Sequence, residues 1–160
     1  MIRPVSLSDA ERITEIYNHY IAETTISFET EPLTVGQMEA RIKDISAHCP
    51  YFVYESDGLI LGYCYAHPWK GRAAYSATLE TTIYLDKDTT HRGIGRRLMR
   101  HLTDACRAEG FHALIACITA DNAPSIALHK ELGFRQVSLF KEVGRKFDRL
   151  LDVVDMELIL

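Results

Sequence analysis

The chain alternates between stretches whose hydrophobic residues recur at helical spacing and stretches in which they recur at every second position. The first helical stretch begins at Ser8, which stands three residues before Glu11, a spacing that predicts a capping box. Its apolar face is formed by Ile13, Ile16, Tyr17 and Tyr20. A second helix is predicted from Thr34, three residues before Gln37, to about residue 48. Two helices therefore occupy much of the first third of the chain.

The middle of the chain has the pattern of strands. The runs YFVYES and LILGYCYAH flank Asp57-Gly58, a dipeptide that favours a two-residue hairpin turn. The run at 75–86 is rich in β-branched and aromatic residues and predicts a long strand. Alternation along this strand puts two sets of side chains on opposite faces: Tyr75, Ala77, Leu79, Thr81, Ile83 and Leu85 on one, and Ser76, Thr78, Glu80, Thr82 and Tyr84 on the other.

Helices and strands continue to alternate in the second half. The remaining predicted elements are helices from Gly95 to just before Gly110 and from Asn122 to Gly133, and strands near residue 2, at 112–118, at 134–141 and at 150–159. Pro124 in the first turn of the second of these helices fits its predicted start. This order predicts an α/β (α+β) fold, in which a central mixed, mostly antiparallel sheet of about seven strands is flanked by about four helices.

Composition is that of a globular protein with one domain. Of the 160 residues, 47% are hydrophobic and 25% are charged, and the formal net charge of −4 gives no case for binding nucleic acid or a membrane surface. The apolar runs are too short to span a bilayer, and the first residues lack the apolar core of a signal peptide, so we expect a cytoplasmic protein. The four cysteines lack metal-ligand spacing, and we expect reduced thiols and no metal site.

The segment TTHRGIGRRL at 89–98 has the composition of an anion-binding turn. Gly93 and Gly95 stand at the start of a helix, where unpaired N–H groups and the positive end of the helix dipole lie. Three arginines add positive charge: Arg92, Arg96 and Arg97. Alone, this pattern fits an ordinary helix start with solvated arginines equally well. A nucleotide P-loop is excluded because no Gly-Lys-Ser/Thr follows, and Leu98 replaces the third glycine of a dinucleotide fingerprint.

The surrounding residues narrow the interpretation. The turn Arg92-Gly93-Ile94-Gly95, followed by helix, strand, NAPS at 122–125 and LGF at 132–134, resembles the GNAT family of acetyl-CoA-dependent N-acetyltransferases over essentially the whole chain. The family's pyrophosphate motif is Gln/Arg-x-x-Gly-x-Gly/Ala, and Thr90 stands at its first position here. Further segments resemble the phosphinothricin and methionine-sulfoximine acetyltransferase branch: IYNHY at 16–20, TT at 24–25, LETTIYL at 79–85, ALH at 127–129 and VGRKF at 143–147.

This resemblance implies a single GNAT domain over residues 1–160 that uses acetyl-CoA as co-substrate and no metal. The pyrophosphate of the coenzyme would lie at the glycine turn and its pantetheine arm along the strand at 75–86. In the family, a backbone N–H of that strand is thought to polarise the thioester carbonyl. The residues implied to bind the coenzyme are Ile83, Tyr84, Leu85, His91, Arg92, Gly93, Ile94, Gly95, Arg96, Asn122 and Ser125. Asn122 can cap its helix and contact the coenzyme at the same time.

Glu80 is the candidate catalytic base. Glutamate is disfavoured inside strands, and Glu80 could simply be a solvent-facing carboxylate on a half-exposed sheet. The chemical alternative is that an amine acceptor arrives as an ammonium ion and must lose a proton before it attacks a thioester. The resemblance places this glutamate beside both substrates. We therefore predict that Glu80 is the general base.

His129 and the loop before the long strand supply the other candidates. His129 shares a helix face with Asn122 and could protonate the leaving thiolate, or it could be a histidine that packs beside Leu132. The resemblance implies that the acceptor is contacted by Lys70, Gly71, Arg72, Glu80, Thr81 and Thr82. Arg72 could bind an α-carboxylate through two hydrogen bonds, or it could be a solvated loop cation.

We therefore expect an enzyme that moves acetyl directly from acetyl-CoA to a small-molecule amine acceptor. The α-amino group of an amino acid, or of an analogue such as phosphinothricin or methionine sulfoximine, is the first candidate. Asp148 and Leu150 stand where this branch often has Gly and Trp, which weakens an exact assignment of the acceptor. The alternatives are acetylation of a polyamine or a protein N-terminus, or a coenzyme A-binding sensor without turnover. The resemblance also implies a homodimer.

Overall fold

The computed structural model describes residues 1–89 and 92–160. His91, one of the predicted coenzyme-binding residues, and Thr90 lie outside the described residues. In the described part of the chain there are eight strands, namely β1 (Ile2–Pro4), β2 (Tyr51–Ser56), β3 (Leu59–Pro68), β4 (Thr78–Leu85), β5 (Ala113–Thr119), β6 (Arg135–Gln136), β7 (Phe140–Lys146) and β8 (Arg149–Ile159). Four α-helices are described with them, namely α1 (Ala10–Glu23), α2 (Val35–Ser46), α3 (Ile94–Ala108) and α4 (Ala123–Glu131).

The strands form one mixed sheet in the order β1-β2-β3-β4-β5-β8-β6, and β7 also pairs with β8. Strands β4 and β5 run parallel, and the other paired strands of the described chain are antiparallel. The predicted mixed, mostly antiparallel sheet with flanking helices is confirmed. Strand β4 begins at Thr78 and not at Tyr75 as predicted, because Ala73–Tyr75 form a 3-10 turn.

The additional strand arises where the sequence predicted one strand at 134–141. The backbone leaves the ladder there because a side chain replaces a backbone partner: the N–H of Asp155 donates to Oγ of Ser138, at 2.9 Å. Strand β7 then runs to Lys146 and turns into β8 through Phe147 and Asp148, which have φ angles of 50° and 56°. Neither residue is glycine, so this hairpin lacked the sequence pattern that marks such a turn.

The capping box predicted at Ser8 and Glu11 for the start of α1 is wrong. Ser6 instead caps the 3-10 turn Leu7–Asp9 that leads into α1, and its N–H donates to Oδ2 of Asp9 at 2.7 Å. Asp9 is buried and receives two hydrogen bonds from the guanidinium of Arg3, at 2.8 and 2.9 Å. Arg3 on β1 holds this carboxylate in place. The capping box therefore forms at Ser6 and Asp9, two residues before the predicted pair Ser8 and Glu11.

Other local predictions are confirmed. Thr34 and Gln37 form the capping box of α2. Asp57 and Gly58 connect β2 to β3 with φ angles of 53° and 76°. Gly133 follows α4 with a φ of 93°. The hydrogen-bonding side chains at helix starts and the positive φ angles at turns are local properties, which is why short sequence windows predict them.

Alternation along β4 separates two hydrophobic cores on opposite faces of the sheet. Leu79, Ile83 and Leu85 belong to a core with α3 and α4, and we call this side of the sheet the α3 face. Tyr84 points to the other side, the α1 face, where α1 and α2 pack against β2, β3 and β4. Within the described residues, none of the helices combines the length and apolar character needed to cross a membrane.

Candidate active site

The parallel strands β4 and β5 separate part-way along their length. They pair at three positions: Thr78 with Ala113, Leu79 with Leu114 and Glu80 with Ile115. Strand β4 continues to Leu85 and β5 to Thr119, and the described residues show no further pairing between them. The two strand edges beyond Glu80 therefore border a wedge. Such an edge carries backbone N–H and C=O groups that can pair with an extended ligand.

Two helices begin at the open end of this wedge. Helix α3 follows β4 and α4 follows β5, so both N-termini lie at the carboxyl ends of the parallel pair. The first N–H groups of a helix have no partner within it, and the helix dipole is positive there. Gly93 precedes α3 with a φ of 74°, and a Cβ built on it meets no described atom within 4 Å. A phosphate can therefore come close to this backbone.

The second glycine of the turn has a packing role. Gly95 is buried, as is Ile94 beside it. A Cβ built on Gly95 would lie 3.4 Å from Leu128, 3.5 Å from Leu85 and 3.6 Å from Ile83. These are ordinary contact distances, so a methyl group would fit here, whereas a larger side chain such as valine would crowd the core between α3, β4 and α4.

The arginines of the turn are exposed, and two of them have partners. Arg96 forms an ion pair with Glu131 at the end of α4, with Nε 3.2 Å from Oε2. Arg97 donates to the hydroxyl of Tyr54 at 2.8 Å. Arg92 lies in the turn itself and is exposed. An exposed ion pair contributes less than about 1 kcal/mol to stability, so the pair with Glu131 does not prevent Arg96 from turning towards an anion.

The first turns of α4 connect three predicted site residues. Oδ1 of Asn122 accepts the N–H of Ser125 at 3.3 Å, so Asn122 caps the helix. Nδ1 of His129 donates to the carbonyl of Ser125 at 2.8 Å. His129 is 3% exposed, and its ring meets Phe134 edge-on with centroids 5.0 Å apart. Burial lowers the pKa of His129, which keeps the imidazole neutral near pH 7. These contacts favour packing as the role of His129.

Glu80 lies on the α1 face at the last paired position before the strands separate. Its side chain is 27% exposed, so it is neither solvated on all sides nor excluded from water. His67, directly opposite on β3, places Nε2 4.0 Å from Oε1 of Glu80. Thr82 follows on the same face beside Tyr65 of β3. Glu80 therefore combines a position at the closed end of the wedge, where the strands separate, with access to solvent.

Two residues that the sequence did not single out share this face. Cys117 on β5 and Asp155 on β8 are paired directly opposite one another. Cys117 remains partly open to solvent, yet partial burial raises the pKa of its thiol, and the carboxylates of Asp155 and Glu80 raise it further. The neutral thiol is a poor nucleophile, so an acetyl-cysteine route lacks its thiolate. These residues are brought together by the pairing register of β4, β5 and β8. That register cannot be deduced from the sequence alone.

Thr81 does not join the predicted acceptor contacts. Its side chain is 7% exposed, and its hydroxyl donates to the carbonyl of Ile115 at 3.4 Å. Because successive residues of a strand point to opposite faces, Thr81 lies on the α3 face while Glu80 and Thr82 lie on the α1 face. The side chain of Thr81 is therefore unavailable to an acceptor that contacts Glu80.

The loop between β3 and β4 forms a separate small pocket at the end of that hairpin. Nζ of Lys70 lies 4.2 Å from the ring centroid of Trp69 and 5.3 Å from that of Tyr75. The two rings hold the ammonium group by cation–π attraction. Arg72 is exposed beside them. The residues that line the cavity are Lys70, Gly71, Arg72 and Tyr75.

The connection between α1 and α2, residues 24–33, is hydrogen-bonded to the ends of β5 and β7. The hydroxyl of Thr119 donates to the carbonyl of Thr25 at 2.8 Å, which fixes this connection to the end of β5. Nζ of buried Lys146 donates to the carbonyl of Ser27 at 2.6 Å, which fixes it to β7. Desolvation lowers the pKa of Lys146. The connection therefore lies at the carboxyl end of β5, whereas the loop that carries Arg72 lies just before the start of β4.

A comparison with known protein families finds a match for nearly the whole chain, including the strand, the glycine turn and the helix that follows. The profile of the acetyltransferase (GNAT) domain matches residues 2–154. The chain belongs to the GNAT family. As a GNAT protein, it is an N-acetyltransferase.

Individual GNAT relatives are similar over nearly the whole chain. Phosphinothricin N-acetyltransferase of Streptomyces coelicolor is 38% identical, over 95% of this chain and 91% of that protein. The L-methionine sulfoximine/L-methionine sulfone acetyltransferase of Pseudomonas aeruginosa is 32% identical, over 99% of this chain and 94% of that protein. The crystal structure of a GNAT superfamily phosphinothricin acetyltransferase from Sinorhizobium meliloti with AcCoA superposes with a TM-score of 0.97 at 34% identity, covering 100% of this chain and 88% of that one.

Proposed function

We propose that the protein transfers the acetyl group of acetyl-CoA directly to the α-amino group of a small amino acid or analogue, such as phosphinothricin or methionine sulfoximine, with Glu80 as general base. The observation that carries the proposal is the position of Glu80, the last paired residue of β4 before the wedge opens. The names of the relatives support the class of acceptor, and the similar structure with AcCoA supports the co-substrate.

The coenzyme fits the groups that border the wedge. Residues 83–85 lie on the unpaired edge of β4, which offers backbone hydrogen bonds to the amides of the pantetheine arm. The start of α3, with the open Gly93 and exposed Arg92 and Arg96, offers N–H groups and positive charge to the pyrophosphate. Asn122 and Ser125 stand at the other helix start. Acetyl-CoA supplies an activated acyl group as a thioester.

Glu80 supplies the base that the acceptor needs. An ammonium group has no lone pair, so it attacks a thioester only after losing a proton. The Glu80 carboxylate is half-buried on the α1 face, and the loop that carries Arg72 leads into its strand. The half-buried position limits the solvation of the carboxylate and leaves it accessible to an acceptor amine.

Arg72 is the proposed contact for the α-carboxylate of the acceptor. A planar guanidinium binds a carboxylate through two charge-assisted hydrogen bonds, and such bonds are stronger than neutral ones. We expect Arg72→Ala to raise the acceptor KM roughly tenfold or more while kcat changes less. Steady-state kinetics with varied acceptor measures this change. Arg107→Ala, an exposed arginine at the end of α3, is the matched control and should leave KM unchanged.

The decisive experiment is a thiol-release assay with acetyl-CoA and a panel of amines. The panel contains phosphinothricin, methionine sulfoximine, methionine sulfone, common amino acids, their decarboxylated amines, linear polyamines and short peptides. The proposal requires acetylated α-amino acids, confirmed by mass spectrometry, and poor turnover of the decarboxylated amines. Equal turnover of amines with and without the carboxylate contradicts it, and binding of acetyl-CoA without thiol release from any amine supports a sensor.

One observation favours acetylation of a polyamine as the second candidate function. Asp155 and Glu157 on β8 lie on the same face of the sheet as Glu80 and keep partial contact with solvent. Carboxylates in this arrangement attract an acceptor that carries a second positive charge. Faster turnover of a linear diamine or polyamine than of any amino acid in the panel would establish this candidate.

We also propose a cytoplasmic homodimer. Cys49, Cys64, Cys106 and Cys117 are free thiols, which suits a reducing compartment. Apolar side chains are exposed along β7 and the segment between β6 and β7: Val137, Leu139, Phe140 and Val143. A second copy of the chain would remove these side chains from water. Light scattering of the purified protein should give twice the mass of one chain, and Val143→Glu should shift it towards the monomer.

A further inference from the structure

We propose that His67 relays the proton from Glu80 to solvent in each catalytic cycle, an inference that rests on the proposed role of Glu80 as general base. His67 acts through Glu80 and is not required to touch either substrate. The relay explains why a polar, titratable side chain stands directly opposite the base on the neighbouring strand.

The geometry of the pair carries the inference. Nε2 of His67 lies 4.0 Å from Oε1 of Glu80, and the two side chains are 33% and 27% exposed. Nδ1 of His67 is 3.0 Å from the carbonyl of Pro68, which can only accept, so Nδ1 carries the hydrogen of the neutral ring. Nε2 then has a free lone pair that can accept a proton from Glu80. A small rotation of either side chain, or one bridging water, closes the remaining distance.

The proton balance requires a route out of the site. The acceptor enters as R–NH3⁺ and leaves as the amide, so its nitrogen loses two protons while the C–N bond forms and the C–S bond breaks. One proton ends on the sulfur of the released coenzyme A. The other passes from nitrogen to Glu80, then from the Glu80 carboxylic acid to Nε2 of His67, and from the imidazolium to water. Glu80 is thereby a carboxylate again for the next acceptor.

The other groups near Glu80 are less suited to this step. Cys117 on β5 faces the same space, but partial burial and the nearby carboxylates raise the pKa of its thiol, so it gains no proton from a carboxylic acid. Asp155 lies one strand further away, opposite Cys117. Tyr65, next to His67 on β3, packs against its ring with centroids 5.9 Å apart and has a pKa raised by burial. An imidazole exchanges protons with both a carboxylic acid and water near pH 7.

The test compares His67→Gln with Glu80→Gln and with the control His48→Gln, an exposed histidine beyond α2. Each is assayed with acetyl-CoA and the best acceptor of the panel at low buffer concentration, and again with increasing imidazole. We expect His67→Gln to lower kcat roughly tenfold, less than the loss of the base itself, and imidazole to restore it, because a dissolved base accepts the proton that Glu80 holds. The acetyl-CoA KM should not change. His48→Gln should match the wild type throughout.

The outcomes separate the relay from the function on which it rests. If His67→Gln has the wild-type kcat at every buffer concentration, the relay is overturned. If Glu80→Gln loses most of its kcat in the same assay, the role of Glu80 as general base still stands. A loss in His67→Gln that imidazole does not restore, in a variant with wild-type circular dichroism and Tm, also overturns the relay. Wild-type kcat in Glu80→Gln, or no turnover of any amine, overturns the proposed function and the relay with it.

Discussion

The α1 face of the sheet has two halves that differ in what covers them. On β3 and at the end of β4, this face carries the aromatic side chains of Tyr63, Tyr65 and Tyr84. Tyr84 contacts Tyr17 and Tyr20 of α1 with ring centroids 5.0 and 4.9 Å apart. On β5 and β8, the same face carries Cys117 and Asp155, without a helix packed over them in the described chain. Alternation determines which side chains share a face, and the covering helices determine whether that face becomes core or site. Glu80 lies where the two halves meet.

The largest expected effect tests the position of Glu80 between these halves. Glu80→Gln keeps the shape of the side chain and removes its basicity, so kcat should fall by roughly 10²–10⁴-fold, the usual contribution of a general base. The loss should shrink as pH rises, because more of the acceptor then arrives without its extra proton. Acetyl-CoA affinity, measured by calorimetry, should hardly change. A large loss that is independent of pH would instead indicate that Glu80 positions the acceptor.

The second prediction compares the two halves by their contribution to stability. Ile13 on α1 is fully buried against the covered half, and Ile13→Ala should lower the free energy of unfolding by about 2–5 kcal/mol, since it removes apolar contacts and leaves a cavity. Cys117→Ala on the open half should change it by about 0.5 kcal/mol or less, as is usual away from the core. Urea denaturation of both variants measures the difference. Equal losses would mean that the two halves are packed alike.

The smallest expected effect concerns the ion pair between Arg41 of α2 and Glu29 of the 24–33 connection. Nη1 of Arg41 donates to Oε2 of Glu29 at 2.9 Å, and Tyr17 also donates to that carboxylate. The bond from Arg41 is the main cause that lowers the pKa of Glu29 below its usual 4.5. A lowered pKa stabilises the fold above pH 4.5, and this contribution is lost as pH falls through the pKa of the folded state.

Arg41→Met should therefore cost less than about 1 kcal/mol near neutral pH, because the pair is partly exposed. The difference from the wild type should vanish once the pH falls below the pKa of Glu29 in the folded protein. Denaturation midpoints at neutral and acidic pH measure it. Arg107→Met removes an exposed pair with Asp104 and should show no such convergence. A constant difference across this pH range would mean that Glu29 is not the group that titrates.

Two features that depend on near neighbours were predicted correctly, whereas the capping box predicted at Ser8 and Glu11 was wrong and groupings that depend on distant pairing were missed. The capping box at Thr34 and the turn at Asp57-Gly58 involve a few consecutive residues, and both were predicted correctly. The grouping of Cys117 and Asp155 with Glu80 depends on the register of three strands. The hairpin at Phe147-Asp148 was missed because its residues carry positive φ angles without glycine. Glu80 stood out because its residue type is unusual in a strand, and a contrast of that kind is visible in a single sequence.

Because β4 and β5 separate beyond Glu80 in the described chain, the backbone edges that border the wedge can be paired only by a bound ligand. Backbone amides on an unpaired strand edge exchange their hydrogens with water more readily than amides within a ladder. A ligand that fills the wedge protects them, and at a concentration a hundred times its Kd it adds about 2.7 kcal/mol to the free energy of unfolding. With acetyl-CoA as that ligand, we expect the folded enzyme to resist unfolding and proteolysis better as the concentration of the coenzyme rises.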